Sequence, residues 1–151
     1  MLNMVLNIFT DGGSRGNPGL GAIGVVIKDE AEKVIGRVSK RIGQVTNNVA
    51  EYTAVAEALQ YVSNQYSVPD SGSGSVISKE KIEKIQFFLD STLVVNQLNG
   101  LFKIKDSNLR TLLLRVRELE QKVGGNVSYT HIPREKNWEA DLLVNHALDS
   151  P

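Results

Sequence analysis

Two aspartates in this 151-residue chain close short apolar runs: Asp11 comes just after residues 5–9, and Asp90 directly after residues 85–89. In open sheets with crossover helices, the ends of neighbouring strands form the crevice in which ligands bind, so both carboxylates are placed to share one point. Glu51 and Asp141 stand in the expected first turns of two helices and can reach the same point from either side. Four carboxylates drawn that close repel and raise one another's pKa values, which calls for cations between them. The chain has no cysteine, so disulfides, thiolate nucleophiles and Cys-ligated zinc are excluded. Hard oxygen donors favour Mg²⁺ or Mn²⁺. Each carboxylate also has a plain structural reading. Asp11 and Asp90 can simply begin turns, Glu51 can be the N3 member of a capping box headed by Asn48, and Asp141 can complement a helix dipole.

The elements that would position these groups follow from periodicity. An apolar run at 5–9 reads as a strand ending at Asp11, followed by a glycine-rich loop from Gly12 to Gly21. Residues 22–28 and 34–42 read as a hairpin around the polar turn 29–32. Thr46, Asn47 and Asn48 offer N-cap side chains for a helix with Ala54, Val55, Ala58, Leu59, Tyr61 and Val62 on its apolar face, ending near Tyr66. Residues 67–80, rich in Ser and Gly, have the composition of a surface insertion. A strand at 85–90, a short helix at 91–98 and a longer helix carrying Leu109, Leu112, Leu113, Val116 and Leu119 follow. The strand 127–132 and the helix 138–148 complete the order. The expected fold is α/β, a five-stranded mixed sheet in the order β-β-β-α-β-α-α-β-α with helices on both faces.

At this length one domain over residues 1–151 is expected. Seventeen basic residues balance seventeen acidic ones, so any polyanion must be met by local clusters and backbone N–H groups rather than by net charge. No stretch nears the roughly 18 apolar residues of a membrane span, and the start lacks a basic leader, which gives the expectation of a cytoplasmic protein.

Several motifs occur in one order. Residues 10–19 read T-D-G-G-S-R-G-N-P-G, residues 46–51 T-N-N-V-A-E, residues 89–91 L-D-S and residues 137–141 N-W-E-A-D. Together they resemble the ribonuclease H type 1 family over about residues 8–147. That resemblance implies a ribonuclease H-like fold and an endonuclease that hydrolyses the RNA strand of RNA–DNA hybrids, leaving 5′-phosphate and 3′-hydroxyl ends. It further implies that Asp11, Glu51, Asp90 and Asp141 ligate two metal ions that flank the scissile phosphate. The backbone at Gly12 and Gly13 and the side chains of Asn17, Asn47 and Asn48 would meet ribose 2′-hydroxyls, while Thr46 and Asn17 would hold a phosphate of the DNA strand. A monomer is expected.

Departures from the family's pattern are visible. The basic handle that many members insert is missing, because residues 100–105 run almost directly into the next helix. The family often places a histidine in the loop before the last helix. His131 fits by its spacing to Asp141, but counting from the strand end puts Arg134 in that loop. Trp138 is expected to pack under the last helix, and His146 to be structural. Three rivals are weaker on the residues: an exonuclease on the related fold shows D-x-E where Asp11-Gly12-Gly13 stands, a binding-only relative would have lost a carboxylate, and an excised reverse-transcriptase piece fits poorly with a Met1 start.

Overall fold

The computed structural model describes residues 3–66 and 81–150; the expected insertion at 67–80 lies outside the described residues. The strands are β1 (Asn3–Gly16), β2 (Gly19–Lys28), β3 (Val34–Val45), β4 (Lys81–Leu89) and β5 (Val127–His131). The helices are α1 (Asn47–Gln65), α2 (Thr92–Leu98), α3 (Ser107–Lys122) and α4 (Trp138–Asp149), the last preceded by a single 3₁₀ turn at Arg134–Lys136. The five strands form one sheet in the order β3-β2-β1-β4-β5. β1, β2 and β3 pair antiparallel, whereas β4 joins β1, and β5 joins β4, in parallel. The mixed sheet and the element order are those expected from the sequence.

Alternation along the strands divides the interior into two layers. Leu6 and Ile8 of β1 and Val25 and Ile27 of β2 face Tyr52, Val55 and Leu59 of α1, joined by Val116 and Leu119 of α3. Each fully buried Leu or Ile there contributes roughly 1.5–3 kcal/mol. On the opposite face Ala22 packs with Val144, Ala147 and Leu148 of α4. The apolar stripe expected on α3 is buried at Leu109, Val116 and Leu119 and partly buried at Leu112 and Leu113.

Three expectations need correction. β1 does not end at Asp11 but runs on to Gly16, so the glycine-rich segment is the arm of a hairpin with β2 whose turn is Asn17-Pro18, joined by a cis peptide. Pairing of ten successive residues with β2 outweighs the low strand propensity of Gly12 and Gly13. Trp138 is 60% exposed instead of packed beneath α4: the buried stripe of that helix is Ala140, Val144, Ala147 and Leu148, and at 100° per residue position 138 lies on the far side. His146 is exposed as well.

Two glycines let the helices close on the sheet at one spot. A Cβ on Gly12 would lie 2.3 Å from the Ala50 carbonyl carbon and oxygen and 2.6 Å from the Glu51 nitrogen, so only glycine allows α1 to come this near. On the other face a Cβ on Gly24 would lie 2.2 Å from the Ala140 oxygen of α4. Gly24 is the cross-strand partner of Asp11. The two helices that carry Glu51 and Asp141 therefore make their closest approaches around Asp11.

Candidate active site

Parallel pairing of β1 and β4 matches Phe9 with Phe88, and the same two-residue step along each strand leads to Asp11 and Asp90 on one face of the sheet. Glu51 arrives from α1 across Gly12. Oxygens of Asp11, Glu51 and Asp90 all lie within 4.8 Å of one another, with Asp11 and Glu51 buried. Asp141 enters from the first turn of α4. Its charge and a hydrogen bond act on Asp11, so it adjoins the cluster without joining the tightest set of three. The four carboxylates share one open cleft of about 540 Å³, which Gly12, Gly13, Ser14, Arg15, Asn47, Ser91 and Arg134 also line.

Local structure settles the alternative reading of Glu51. Thr46 is the N-cap of α1, its hydroxyl accepting from the Val49 N–H at 3.2 Å. Val49 is therefore the N3 residue, and no capping box includes Glu51, which stands in the second turn and not the first as expected. Ser91 caps α2 in the same way through the Val94 N–H, fixing the chain directly after Asp90.

The electrostatics are those of crowded acids. Burial, then the charges of Asp90 and Asp141, push the Asp11 carboxyl from 3.8 up to about 7. Burial and the neighbouring Asp11 and Asp90 raise Glu51 well above 4.5. The Gly12 N–H donates to Asp11 Oδ1 at 3.0 Å, but Glu51 Oε2 is buried with no hydrogen-bond partner among the described residues. A buried carboxylate oxygen left open beside two other carboxylates fits a divalent cation, and an all-oxygen donor set fits a hard one.

A second groove of about 530 Å³ is lined by Asn17, Thr46, Asn47 and Asn48 together with Val49, Asp106, Asn108 and Leu109. Asn47 borders both grooves. Its side-chain oxygen accepts from the Ser14 N–H at 2.9 Å, and its own N–H donates to Asn17 Oδ1 at 3.0 Å, which fastens the hairpin tip to the start of α1. The structure thus brings Asp11, Glu51, Asp90, Asp141, Gly12, Gly13 and Arg134 to one cleft and Asn17, Thr46, Asn47 and Asn48 to the adjoining groove. His131 ends β5, paired with Leu89, and is not among the residues lining either.

One contributor enters the sequence only as the first letter of the motif at residues 137–141, with no role assigned to it. Asn137 is 1% exposed, and its Nδ2 donates to the Thr10 carbonyl at 2.9 Å and to Asp90 Oδ2 at 3.0 Å. A lone Asn before a helix reads as a cap; only its position four residues ahead of Asp141 marks it out. Further back, Lys28 bridges to Glu139 at 2.7 Å and lies over the Phe9 ring, holding the first turn of α4 on the sheet.

Comparison with known proteins agrees with this geometry. The RNase H family model matches residues 3–148. The chain is 36% identical over 144 residues to ribonuclease HI of Halobacterium salinarum, covering 95% of this chain and 64% of that protein. It is 32% identical over 148 residues to the bifunctional protein Rv2228c of Mycobacterium tuberculosis, covering 97% of this chain and 36% of that one. The chain thus spans about two thirds or less of the length of these relatives. Among solved structures, LC11-RNase H1 in complex with an RNA/DNA hybrid superposes with a TM-score of 0.81 at 38% identity, covering 95% of this chain and 96% of that one. With a family model spanning nearly its whole length and the carboxylates gathered where β1 and β4 meet, the chain belongs to the RNase H family.

Proposed function

We propose that this chain is a divalent-metal-dependent endonuclease that hydrolyses the RNA strand of RNA–DNA hybrids to 5′-phosphate and 3′-hydroxyl ends. The observation that carries the proposal is the convergence of Asp11, Glu51 and Asp90 oxygens within 4.8 Å, partly buried and unneutralised, at the floor of an open cleft. Asp11, Glu51, Asp90 and Asp141 hold two ions, Mg²⁺ or Mn²⁺. Bound there, divalent ions supply positive charge to the phosphate and acidify an attacking water.

The chain's own residues do the rest. Gly12 and Gly13 offer backbone beside the carboxylates, and at Gly13, where a Cβ would meet only Val144 Cγ1 at 3.8 Å, its absence lets a sugar edge approach closely. Asn47 and Asn48, at the start of α1, offer amides to ribose 2′-hydroxyls. Asn17 and Thr46, in the second groove, hold a phosphate of the DNA strand beside the first N–H groups of α1, where anions are favoured. Because Asn47 borders both grooves, one rigid segment fixes the spacing between the two strands. Arg134, on the cleft wall, neutralises phosphate charge; its pKa is too high for proton transfer. The hybrid complex of LC11-RNase H1, a relative of the same fold, supports the substrate class. Action as a monomer is part of the proposal.

The test is an end-labelled RNA–DNA hybrid incubated with Mg²⁺ or Mn²⁺ and either the wild-type chain or Asp11→Asn. Internal cuts confined to the RNA strand and absent with the variant are expected. Stepwise trimming from one end, or cutting that survives in Asp11→Asn, would sink the proposal.

A further inference from the structure

Asn137 occupies the N-cap position of α4 but makes no side-chain cap hydrogen bond. An asparagine there normally turns its oxygen to the helix's own N–H groups and so stabilises the helix. Here the amide is turned the other way. Both groups facing Nδ2 are acceptors, the Thr10 carbonyl at 2.9 Å and Asp90 Oδ2 at 3.0 Å, while Asn137 Oδ1 is buried with no partner among the described residues. Forgoing the cap and leaving a buried oxygen unpaired both cost stability, so the two donated bonds serve something other than the helix.

What they hold is the acidic cluster. Thr10 is the residue directly before Asp11, Asp90 is bonded through its carboxylate, and the Asp141 N–H donates to the Asn137 carbonyl at 3.1 Å. One residue therefore ties together the chain at three of the four carboxylates, from β1, the end of β4 and α4. We infer that Asn137 is the positioning residue of the metal centre: by occupying Asp90 Oδ2 it turns Oδ1 of that carboxylate toward Asp11 and Glu51. Its neutrality matters as much as its reach. An acid at this place would add a fifth negative charge to the cluster, and a lysine would set its own cation against the one the cluster is to bind. This inference rests on the divalent-metal reading above.

The experiment is calorimetric titration of Mn²⁺ into metal-free protein without substrate, for wild type, Asn137→Leu, Asn137→Ala and Lys28→Ala. Leucine keeps the branching of asparagine at a somewhat larger volume but has no donor, and alanine removes the donor without added bulk. Wild type is expected to bind Mn²⁺, and either Asn137 variant to bind it about 10–100-fold more weakly, the usual consequence of losing a partner that orients a ligand. Their KM for hybrid should be unchanged, and kcat should recover as Mn²⁺ is raised by the same factor. Lys28→Ala loosens the first turn of α4 without touching Asp90. It should lower Tm and leave Mn²⁺ affinity within about twofold. Equal affinity in wild type and the Asn137 variants would overturn the inference alone, and so would a loss in Lys28→Ala as large as theirs, or failure of both Asn137 variants to fold. A wild type that binds no Mn²⁺ would overturn the metal reading with it.

Discussion

Glu51 and Glu120 are buried to the same degree, 7% and 8% exposed, yet the fold treats them in opposite ways. Glu120 on α3 accepts from Arg117 at 2.9 and 3.2 Å and from the Tyr129 hydroxyl, and Arg117 also donates to the Leu98 carbonyl that ends α2. Burial and the adjoining Glu120 push the Tyr129 hydroxyl far up, so it stays protonated and donates. Nearby, Tyr52 donates to Gln97 at 2.8 Å, with burial raising its hydroxyl to about 12. Glu51 has two more carboxylates for neighbours and an oxygen without a partner. Burial alone thus does not mark a functional acid. The difference is that one site encloses its own cation and the other needs one from solution.

The largest separation of the two sites should come from the matched variants Glu51→Gln and Glu120→Gln. Glu51→Gln is expected to lower hybrid cleavage by about three orders of magnitude, the scale on which transition-state charge stabilisers act, while raising the Tm of the metal-free protein by removing repulsion. Next in size is Gly12→Ala. Its Cβ would meet main-chain atoms of Ala50 at 2.3 Å, which cannot yield without moving α1 and carrying Glu51 off the cluster. A loss of about 3 kcal/mol, the upper end of overpacking effects, should appear in urea denaturation together with weakened Mn²⁺ binding. Glu120→Gln should lose about 2 kcal/mol. That is less than for a fully buried pair, because the Arg117 side chain is 39% exposed. The matching drop in Tm is about 4–8 °C, with activity per folded molecule retained. Loss of activity in Glu120→Gln out of proportion to unfolding would erase the distinction.

Much of this contrast was legible in the residues, but unevenly. Helical periodicity located α1 and α3 because their apolar faces repeat over several turns, and Asp11 and Asp90 stood out by closing apolar runs. The extension of β1 to Gly16 was not legible, since long-range pairing with β2 decides it against local propensity. Nor was the turn occupied by Glu51: Thr46, Asn47 and Asn48 are three adjacent capping residues, and only backbone geometry selects the first. The Arg117–Glu120–Tyr129 network joins α3 to β5 across a glycine turn, where each residue alone looks like an ordinary surface or strand residue. Asn137 was masked in the same way, as a helix cap that is turned from its helix.

The smallest predicted effect is thermal and depends on pH. The folded Asp11 carboxyl, at about 7, titrates well above its ordinary 3.8, so between those values the unfolded chain gives up its proton while the folded one keeps it. The folded state therefore binds more protons there, and stability falls as pH rises through the window. The raised pKa makes Asp11 a stabilising term below about pH 4 that is lost by about pH 7, and Glu51 acts in the same direction. The Tm advantage of metal-free Glu51→Gln over wild type should accordingly shrink toward pH 4 and grow as the pH rises. Mn²⁺ reverses the sense, because it binds only the deprotonated carboxylates. At ten times its Kd at pH 8 it should add about 1.4 kcal/mol to the wild type and little at pH 5. Stability of Glu120→Gln should respond to Mn²⁺ as the wild type does, since its fault lies where the fold already supplies the cation. If Mn²⁺ stabilised Glu51→Gln as strongly as the wild type, the open oxygen of Glu51 would not be the group that distinguishes the two sites.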